Sequence, residues 1–437
     1  MKQIICIALL LFVMFSCQED SKNLSDPFGI TELNKANRKL IEVVMEDGFS
    51  PPIASRVYVY PHIAHYIALH HFFPDSLPGL AGKLNGLTAL KDIEKAGGHP
   101  RLTALLAFAK TAQKLVFSEH YMIKLAESFI EKAKEAGVSK KEIETSKNSA
   151  EAISRHLISW FMKDQYIETR TMDRFTSSKN PGEWRETPPD YIPGLESHWM
   201  KMRTLLIDSA GMYKAAAPPS YNSDKNSEFY KMVLEVYNQS KNLDSVNTGI
   251  AWFWDDNPNV SEHRGHLVTM THKISPPGHW LNIIDQVSTR DSSSLFKTTK
   301  AYTLSAIAMY DGIISCWYEK YRTNLVRPVS YIQEYIDVNW KPLIQTPPFP
   351  EWTSGHSVLS AAAATVLTNI YGENYPFVDS TEVIFDQPVR HFTSFHQAAW
   401  EVSLSRFYAG IHYKKSVEEG NKQGKFIGNA VLNKLNN

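Results

Sequence analysis

Residues 347–367 read "PPFPEWTSGHSVLSAAAATVL". Three prolines stiffen the approach, Thr353-Ser354-Gly355-His356 turns it, and a run of small and apolar residues follows with no breaker. That order predicts the first turns of a buried helix, with Ser354 placed to cap it. The N–H groups of a helix N-terminus lack partners and carry a partial positive charge, so an anion is the natural guest there. Gly355 allows an anion to approach the chain closely, and His356 adds a group that titrates near neutrality.

Helical spacing dominates the chain outward from this point. "ITELNKANRKLIEVVMEDG" (30–48), "ASRVYVYPHIAHYIALHHFF" (54–73), "HPRLTALLAFAKTAQKLVFSEHYMIKLAESFIEKAKEAG" (99–137) and "SKKEIETSKNSAEAISRHLISWFMKD" (139–164) repeat apolar residues at three and four. Gly137 closes one helix and opens the next as an αα-hairpin. Further helices are expected at 226–240, 246–256, 260–273, 279–290, 296–325, 356–371 and 393–409, with proline loops at 275–278 and 341–350. Alternating strand patterns are nearly absent, so the fold class is all-α. A loop-rich stretch, "SSKNPGEWRETPPDYIPGLES" (177–197), suggests a seam or a lid. The expected organisation is an N-terminal helical half over 31–225 and a C-terminal helical bundle over 226–437.

The chain has 437 residues, 43% of them hydrophobic and 12% aromatic, enough for a large core and against disorder. Lys+Arg and Asp+Glu both total 46, so any cationic site is local, and a nucleic-acid partner is not indicated. The start, "MKQIICIALLLFVMFSCQED", orders one lysine, about a dozen apolar residues and Ser16 before Cys17. It reads as a signal peptide over 1–17 followed by a polar tether over 18–30. The Ser-Cys step resembles the cleavage box of bacterial lipoproteins, which implies lipidation of Cys17 and a place in the cell envelope, bound to a membrane through that lipid alone. Cys316 is then the one cysteine of the mature domain, and no internal disulfide is available. "AYTLSAIAMYDGIISCW" (301–317) is interrupted by Asp311 and reads as a buried core helix rather than a membrane span.

Two further segments carry charged groups that the opening stretch could use. In "CWYEKYRTNLVRPVSYI" (316–332), Lys320 and Arg327 stand seven apart, two helical turns, so both cations would face one side, and Pro328 ends the element. In "SLSRFYAGIHYKKS" (403–416), Arg406 and His412 stand six apart, and Gly410 supplies the break that lets both aim inward. Lys320, Arg327 and Arg406 supply three cations, and Ser354 with the Gly355 N–H supplies neutral donors. Together they suit the equatorial oxygens of a tetrahedral or trigonal-bipyramidal oxyanion. Taken alone, each segment has a plain reading as a solvated basic face, a helix cap or a turn.

In this order the three segments resemble the signature of the superfamily that joins type 2 phosphatidic acid phosphatases, bacterial non-specific acid phosphatases and vanadium-dependent haloperoxidases. The resemblance implies an all-α fold with the oxyanion at one end of a C-terminal catalytic bundle. It implies that His412 is the apical group, either a nucleophile towards phosphorus or the protein ligand of vanadium, and that His356 is the general acid/base. Trp317 and Phe349 resemble the residues lining the halide side of the haloperoxidase branch. "AWFWDDNP" (251–258) resembles that branch's carboxylate step, with Asp256 expected to brace an active-site arginine and Asp255 as the near alternative. "SPPIASRVYVYPHIAHYIAL" (50–69) and "HRGHLVTMTHKISPPGHW" (263–280) resemble its bacterial members.

Two positions depart from the superfamily pattern. Thr353 stands where proline is usual, and Ser416 stands where an aspartate four residues beyond the final histidine would orient it. The leading expectation is a haloperoxidase using vanadate, hydrogen peroxide, a halide and a small organic substrate. The alternatives are an acid phosphatase acting on phosphomonoesters without a cofactor, and a non-catalytic binding lipoprotein. His62, His65, His70, His71, His263, His266 and His272 lack an HExxH pattern and read as core or surface residues rather than metal ligands.

Overall fold

The computed structural model describes residues 26–436 apart from 91, 92, 94–96 and 179. The segments expected to be a signal peptide (1–17) and most of a tether (18–30), Cys17 included, therefore lie outside the described residues. The N-terminal part contains α1 (Ile30–Glu46), α2 (Pro51–Phe72), α3 (Pro100–Gln113), α4 (Glu119–Glu135), α5 (Lys140–Phe161) and the short α6 (Tyr166–Arg170). An irregular stretch then leads to α7 (Glu228–Lys241) and α8 (Ser245–Phe253). After the strands β1 (Val260–Arg264) and β2 (Leu267–Thr271) come α9 (Pro276–Arg290), α10 (Leu295–Thr323), α11 (Pro328–Tyr335) and α12 (Gly355–Tyr371). A small ribbon, β3 (Phe377–Asp379) with β4 (Arg390–Phe392), precedes α13 (Phe395–Tyr408) and α14 (Lys414–Asn436). The all-α expectation stands, and no described helix is long and apolar enough to cross a membrane.

Helix α10 organises the molecule. Its 29 residues span about 44 Å, and it packs against α2 on one side and against α12 and α14 on the other. One continuous core therefore runs from Phe28 to Leu435. Asp311 sits in the middle of this buried helix and accepts the N–H groups of Leu205 (2.7 Å), Leu206 (2.7 Å) and Ile207 (3.0 Å). The residue that interrupts the apolar run thus binds the irregular stretch to the core. Burial pushes its carboxyl up to about 6, against the pull of those three N–H groups.

Helix α14 crosses α12 with its backbone close enough to exclude side chains. A Cβ on Gly420 would stand 2.8 Å from the Ser354 carbonyl, and one on Gly428 would stand 2.9 Å from that of Ala362. One on Gly424 would enter the Val358 carbonyl. Gly420, Gly424 and Gly428, four residues apart on α14, meet the Ser354, Ser357, Val358, Ala361, Ala362 and Thr365 side of α12, so the two helices pack at close range.

Several boundaries differ from the sequence reading. Residues 260–271, expected within a helix, form an antiparallel hairpin with Arg264 opposite Leu267. Gly265 at φ +62° makes the two-residue turn that a helix could not accommodate, and Val260, Val268, Thr269 and Thr271 favour strand. Pro276 and Pro277 open α9 behind Ser275 instead of forming a loop, because proline suits the first helical turn. Gly137, at φ +79°, closes α4 as expected. The long periodic run 99–137 forms two helices, α3 and α4.

Candidate active site

The opening stretch folds as its sequence predicts. Ser354 is the N-cap of α12, accepting from the Ser357 N–H at 3.4 Å and the Ser357 hydroxyl at 2.9 Å. Two accepted bonds leave its own O–H as a free donor. A Cβ on Gly355 would stand 3.7 Å from Trp317 and 4.0 Å from Lys320 Cε, which are ordinary contacts. Nothing in the protein forbids a side chain there, and glycine leaves that space open beside a buried ammonium. Thr353, in place of the usual proline, donates its hydroxyl to Gln423 Oε1 on α14 at 2.6 Å, a tie proline cannot make.

Lys320 and Arg327 meet, but not as two turns of one helix. Helix α10 ends at Thr323 on Asn324 in the left-handed conformation, and Arg327 is the N-cap of α11. Their side chains converge because both reach the proline-rich approach. Lys320 Nζ donates to the carbonyls of Pro350 and Glu351, both at 3.0 Å, and Arg327 Nε donates to that of Phe349 at 2.9 Å. Arg327 Nη1 also donates to Ile411 O at 2.8 Å. Arg406, at the end of α13, donates Nη1 to the Trp254 carbonyl. Gly410, at φ +79°, turns the chain after α13 so that Arg406 and His412 face one cavity.

That cavity, about 140 Å³, has roughly ten times the room one water needs. Gly355, His356, Arg406, His412, Trp317, Phe349 and Asp256 line it. Lys320, Arg327 and Ser354 stand directly behind that lining, and all three are fully buried. Trp317 and Phe349 pack with ring centroids 5.0 Å apart, and Phe349 lies under both Lys320 (4.9 Å) and Arg327 (5.0 Å). The irregular stretch 177–197 closes one side, where Ile192 and Leu195 face the cavity. Its Leu195 carbonyl accepts the Trp317 indole N–H at 3.2 Å and the Tyr321 hydroxyl at 2.7 Å.

Burial dominates the electrostatics here, and the countercharges of Glu351, Asp255 and Asp256 act on the three cations without bonding to them. Among the described residues, no carboxylate hydrogen-bonds to Lys320, Arg327 or Arg406. Burial lowers the Lys320 ammonium to about 7 and Arg327 to about 10, and it lowers Arg406 as well. His356 and His412 both fall well below the ordinary histidine range, first through burial and then through the neighbouring cations. Arg327 Nη2, Arg406 Nε and His356 Nε2 are buried with no hydrogen-bond partner in the protein. Unpaired buried polar atoms at a mostly apolar cavity fit a bound oxyanion, vanadate included, which would accept from the two guanidinium nitrogens and from His356 Nε2 when it carries a proton.

Asp256 does not brace an arginine by a hydrogen bond. Its Oδ1 accepts from His279 Nδ1 at 2.9 Å, while His279 Nε2 donates to Asp379 Oδ2 at 2.8 Å and Asp255 pairs with Lys273 at 3.0 Å. Burial opposes a charge on His279, but the two carboxylates outweigh it and hold the imidazole protonated well above its ordinary range. Trp254 stacks on this ring at 4.5 Å, and it is the Trp254 carbonyl that receives Arg406. Asp256 and Asp255 reach Arg406 only through their charge. Asp256, His279 and Glu382 are the one metal-spaced group among the described residues, and they form this ion cluster instead. His62 and His65 are core residues, bonded to Asn37 and Thr299.

The sequence reading missed Glu351. Its Oε1 lies 2.6 Å from His412 Nδ1 and accepts the Tyr413 N–H at 3.0 Å, and the side chain is completely buried. Burial raises its carboxyl to about 7 against the pull of Arg327 and Lys320. The available signal was a lone acid in a proline-rich approach, set against a chain whose position 416 carries no carboxylate.

Residues 300–437 match the family described as the VCPO second helical-bundle domain. A bacterial vanadium-dependent iodoperoxidase of known structure is 40% identical, with a TM-score of 0.87 over 93% of this chain and 97% of that one. The chain belongs to the vanadium-dependent haloperoxidase family. Two bacterial vanadium-dependent chloroperoxidase structures, holo and apo, share the fold at 13% and 14% identity, with TM-scores of 0.63 and 0.62. Each aligns over 89% of this haloperoxidase and 95% of its own chain. None of the curated proteins matches it. As a haloperoxidase it takes vanadate as cofactor and hydrogen peroxide and halide as substrates, and the phosphatase and binding-lipoprotein alternatives are not favoured.

Proposed function

We propose that the buried cations and donors form the vanadate cage, and that the halide this haloperoxidase oxidises best is iodide. In this reading Lys320, Arg327, Arg406, the Ser354 hydroxyl and the Gly355 N–H would hold the oxygens of vanadate. His412 Nε2 would bind the vanadium, and His356 would serve as the acid/base on the cavity side. The supporting observation is the set of three buried cations with no carboxylate bonded to any of them, facing donor atoms that have no partner in the protein. Bound vanadate supplies the Lewis-acidic centre at which hydrogen peroxide is activated towards halide. His356, kept neutral by burial and surrounding charge, is suited to taking and returning a proton at Nε2.

Two observations support iodide. The relative at 40% identity is an iodoperoxidase. The wall that a halide would touch is also apolar, because Trp317 uses its indole N–H on the Leu195 carbonyl and has none to offer an anion. A strongly hydrated chloride needs a donor to replace its water, whereas a large, weakly hydrated iodide loses less on entering such a wall. The assay is turnover of iodide, bromide and chloride by vanadate-loaded protein with peroxide, alongside His412→Ala. Iodide turnover well above the other two, abolished in His412→Ala, is expected. Folded, loaded protein that oxidises no iodide, or favours chloride, would refute the proposal.

We further propose that Cys17 is lipidated and tethers the enzyme to the cell envelope, a reading supported by the Ser16-Cys17 step after the apolar run. Metabolic labelling with a fatty acid, lost in Cys17→Ser, is the expected result. An unlabelled wild type would overturn it.

A further inference from the structure

We propose that Glu351 is the positioning residue of the apical histidine. Its carboxylate holds the Nδ1–H of His412 and leaves Nε2 unprotonated towards the cavity, the task that Ser416 is unable to perform from four residues beyond. The inference rests on the cage reading above and adds a residue to it.

The tautomer follows from hydrogen-bond chemistry alone. A guanidinium has only donors, and Arg327 Nη1 lies 3.2 Å from His412 Nε2, so that nitrogen presents a lone pair. The ring proton is then on Nδ1, where Glu351 Oε1 accepts it at 2.6 Å. The same oxygen accepts the Tyr413 N–H at 3.0 Å, which fixes the carboxylate against the backbone next to the histidine. An unprotonated nitrogen, on a ring whose other nitrogen is held by a carboxylate, is the arrangement that ligates a metal centre well, and Arg327 Nη1 would have to yield that lone pair to the metal.

Glu351 is also placed by the cage that it serves. Lys320 donates to the Glu351 carbonyl at 3.0 Å, and Arg327 donates to the carbonyl of Phe349 two residues earlier. Movement of this segment would therefore disturb both cations and the histidine together. Ser416 is buried, and its hydroxyl neighbours the Glu351 carboxylate. An aspartate at 416 would set a second carboxylate beside the first in a dry site. Positions 351 and 416 thus have room for one carboxylate between them, and this chain carries it at 351.

The test uses the full chain as wild type, Glu351→Gln, Glu351→Ala and Glu351→Ala/Ser416→Asp. Vanadate affinity is measured by thermal-shift titration, and the His412 Nδ1–H is followed by NMR of protein with isotope-labelled histidine. Loss of a partner that orients a ligand weakens metal affinity by about 10- to 100-fold, which is expected for Glu351→Ala. Glu351→Gln keeps an acceptor oxygen without the charge and should lose less, while Ser416→Asp should restore affinity to the alanine variant. In wild type the Nδ1–H signal should be present and strongly downfield, and Glu351→Ala should remove it. Alanine-variant affinity within about twofold of wild type with the signal unchanged overturns this inference alone, since that change is far below the orienting effect. Should the alanine variant fail to fold, glutamine affinity equal to wild type does the same. Wild type that binds no vanadate overturns the cage reading, and this inference with it.

Discussion

Gly355→Ala separates what the fold needs from what the anion needs. The added Cβ would meet Trp317 at 3.7 Å and Lys320 Cε at 4.0 Å, so folding meets no clash. Residue 355 opens α12, and alanine in place of glycine in a helix is worth about 0.5–1 kcal/mol. With unfolding entropy near 2.1 cal/mol/K per residue, a chain of this length turns that gain into a rise of about 1 °C in melting temperature. The methyl group, however, stands in the space beside Lys320 where a bound oxyanion would approach the Gly355 N–H. Removing one such donor costs about 100- to 1,000-fold in turnover in oxyanion sites. A thermal-shift series with and without vanadate, combined with iodide turnover, reads both effects. The expected outcome is unchanged or slightly higher stability, little stabilisation by vanadate, and turnover lower by two orders of magnitude. Wild-type turnover in the variant would refute the placement of the anion at Gly355. A fall of several degrees in melting temperature would refute the steric reasoning.

Gly424→Ala tests the α12–α14 crossing, because its Cβ would enter the Val358 carbonyl, and the two helices must then part. Destabilisation of about 1–3 kcal/mol or more is expected in urea unfolding, and a neutral result would refute the close approach. Asp311 predicts a pH dependence of stability. Its folded value of about 6 lies above the ordinary 3.8, so the native state holds this proton more tightly than the unfolded chain does. Stability from this group is therefore fully retained below about pH 4 and falls as pH rises towards 6, by about 3 kcal/mol in all. Asp311→Asn should flatten that part of the unfolding profile, and an unchanged slope would refute the assignment.

The grouping of Lys320, Arg327, Ser354, Arg406 and His412 was legible because it is written in three local segments whose side chains admit few other uses in that order. Ser354 capping α12 and Gly410 breaking after α13 are local decisions, and the sequence shows them directly. Lys320 and Arg327 were correctly paired for the wrong reason, since helical phase suggested a shared face and the carbonyls of 349–351 supply the convergence. Glu351 escaped notice because its partner lies 61 positions away, and nothing local distinguishes a buried acid from an exposed one. His279 and its carboxylates were hidden likewise, with Asp379 100 positions away. The hairpin at 260–271 was misread because Val, Thr and Met at mixed spacing also satisfy helical periodicity, and the β-branched residues and Gly265 that argued against it are weak signals singly.

The three cations of the site are held by main-chain carbonyls: Pro350 and Glu351 for Lys320, Phe349 and Ile411 for Arg327, and Trp254 for Arg406. A carbonyl fixes a cation in place without cancelling its charge. The scaffold thus aims a standing positive potential at whichever tetrahedral anion the surrounding solution offers, and phosphate competes with vanadate on shape. Choice of buffer therefore becomes an experimental variable for this enzyme. Protein prepared in phosphate should start out inhibited yet more heat-resistant, and a ligand at a hundred times its dissociation constant adds about 2.7 kcal/mol. Activity measured after exchange into a phosphate-free buffer should rise while the melting temperature falls.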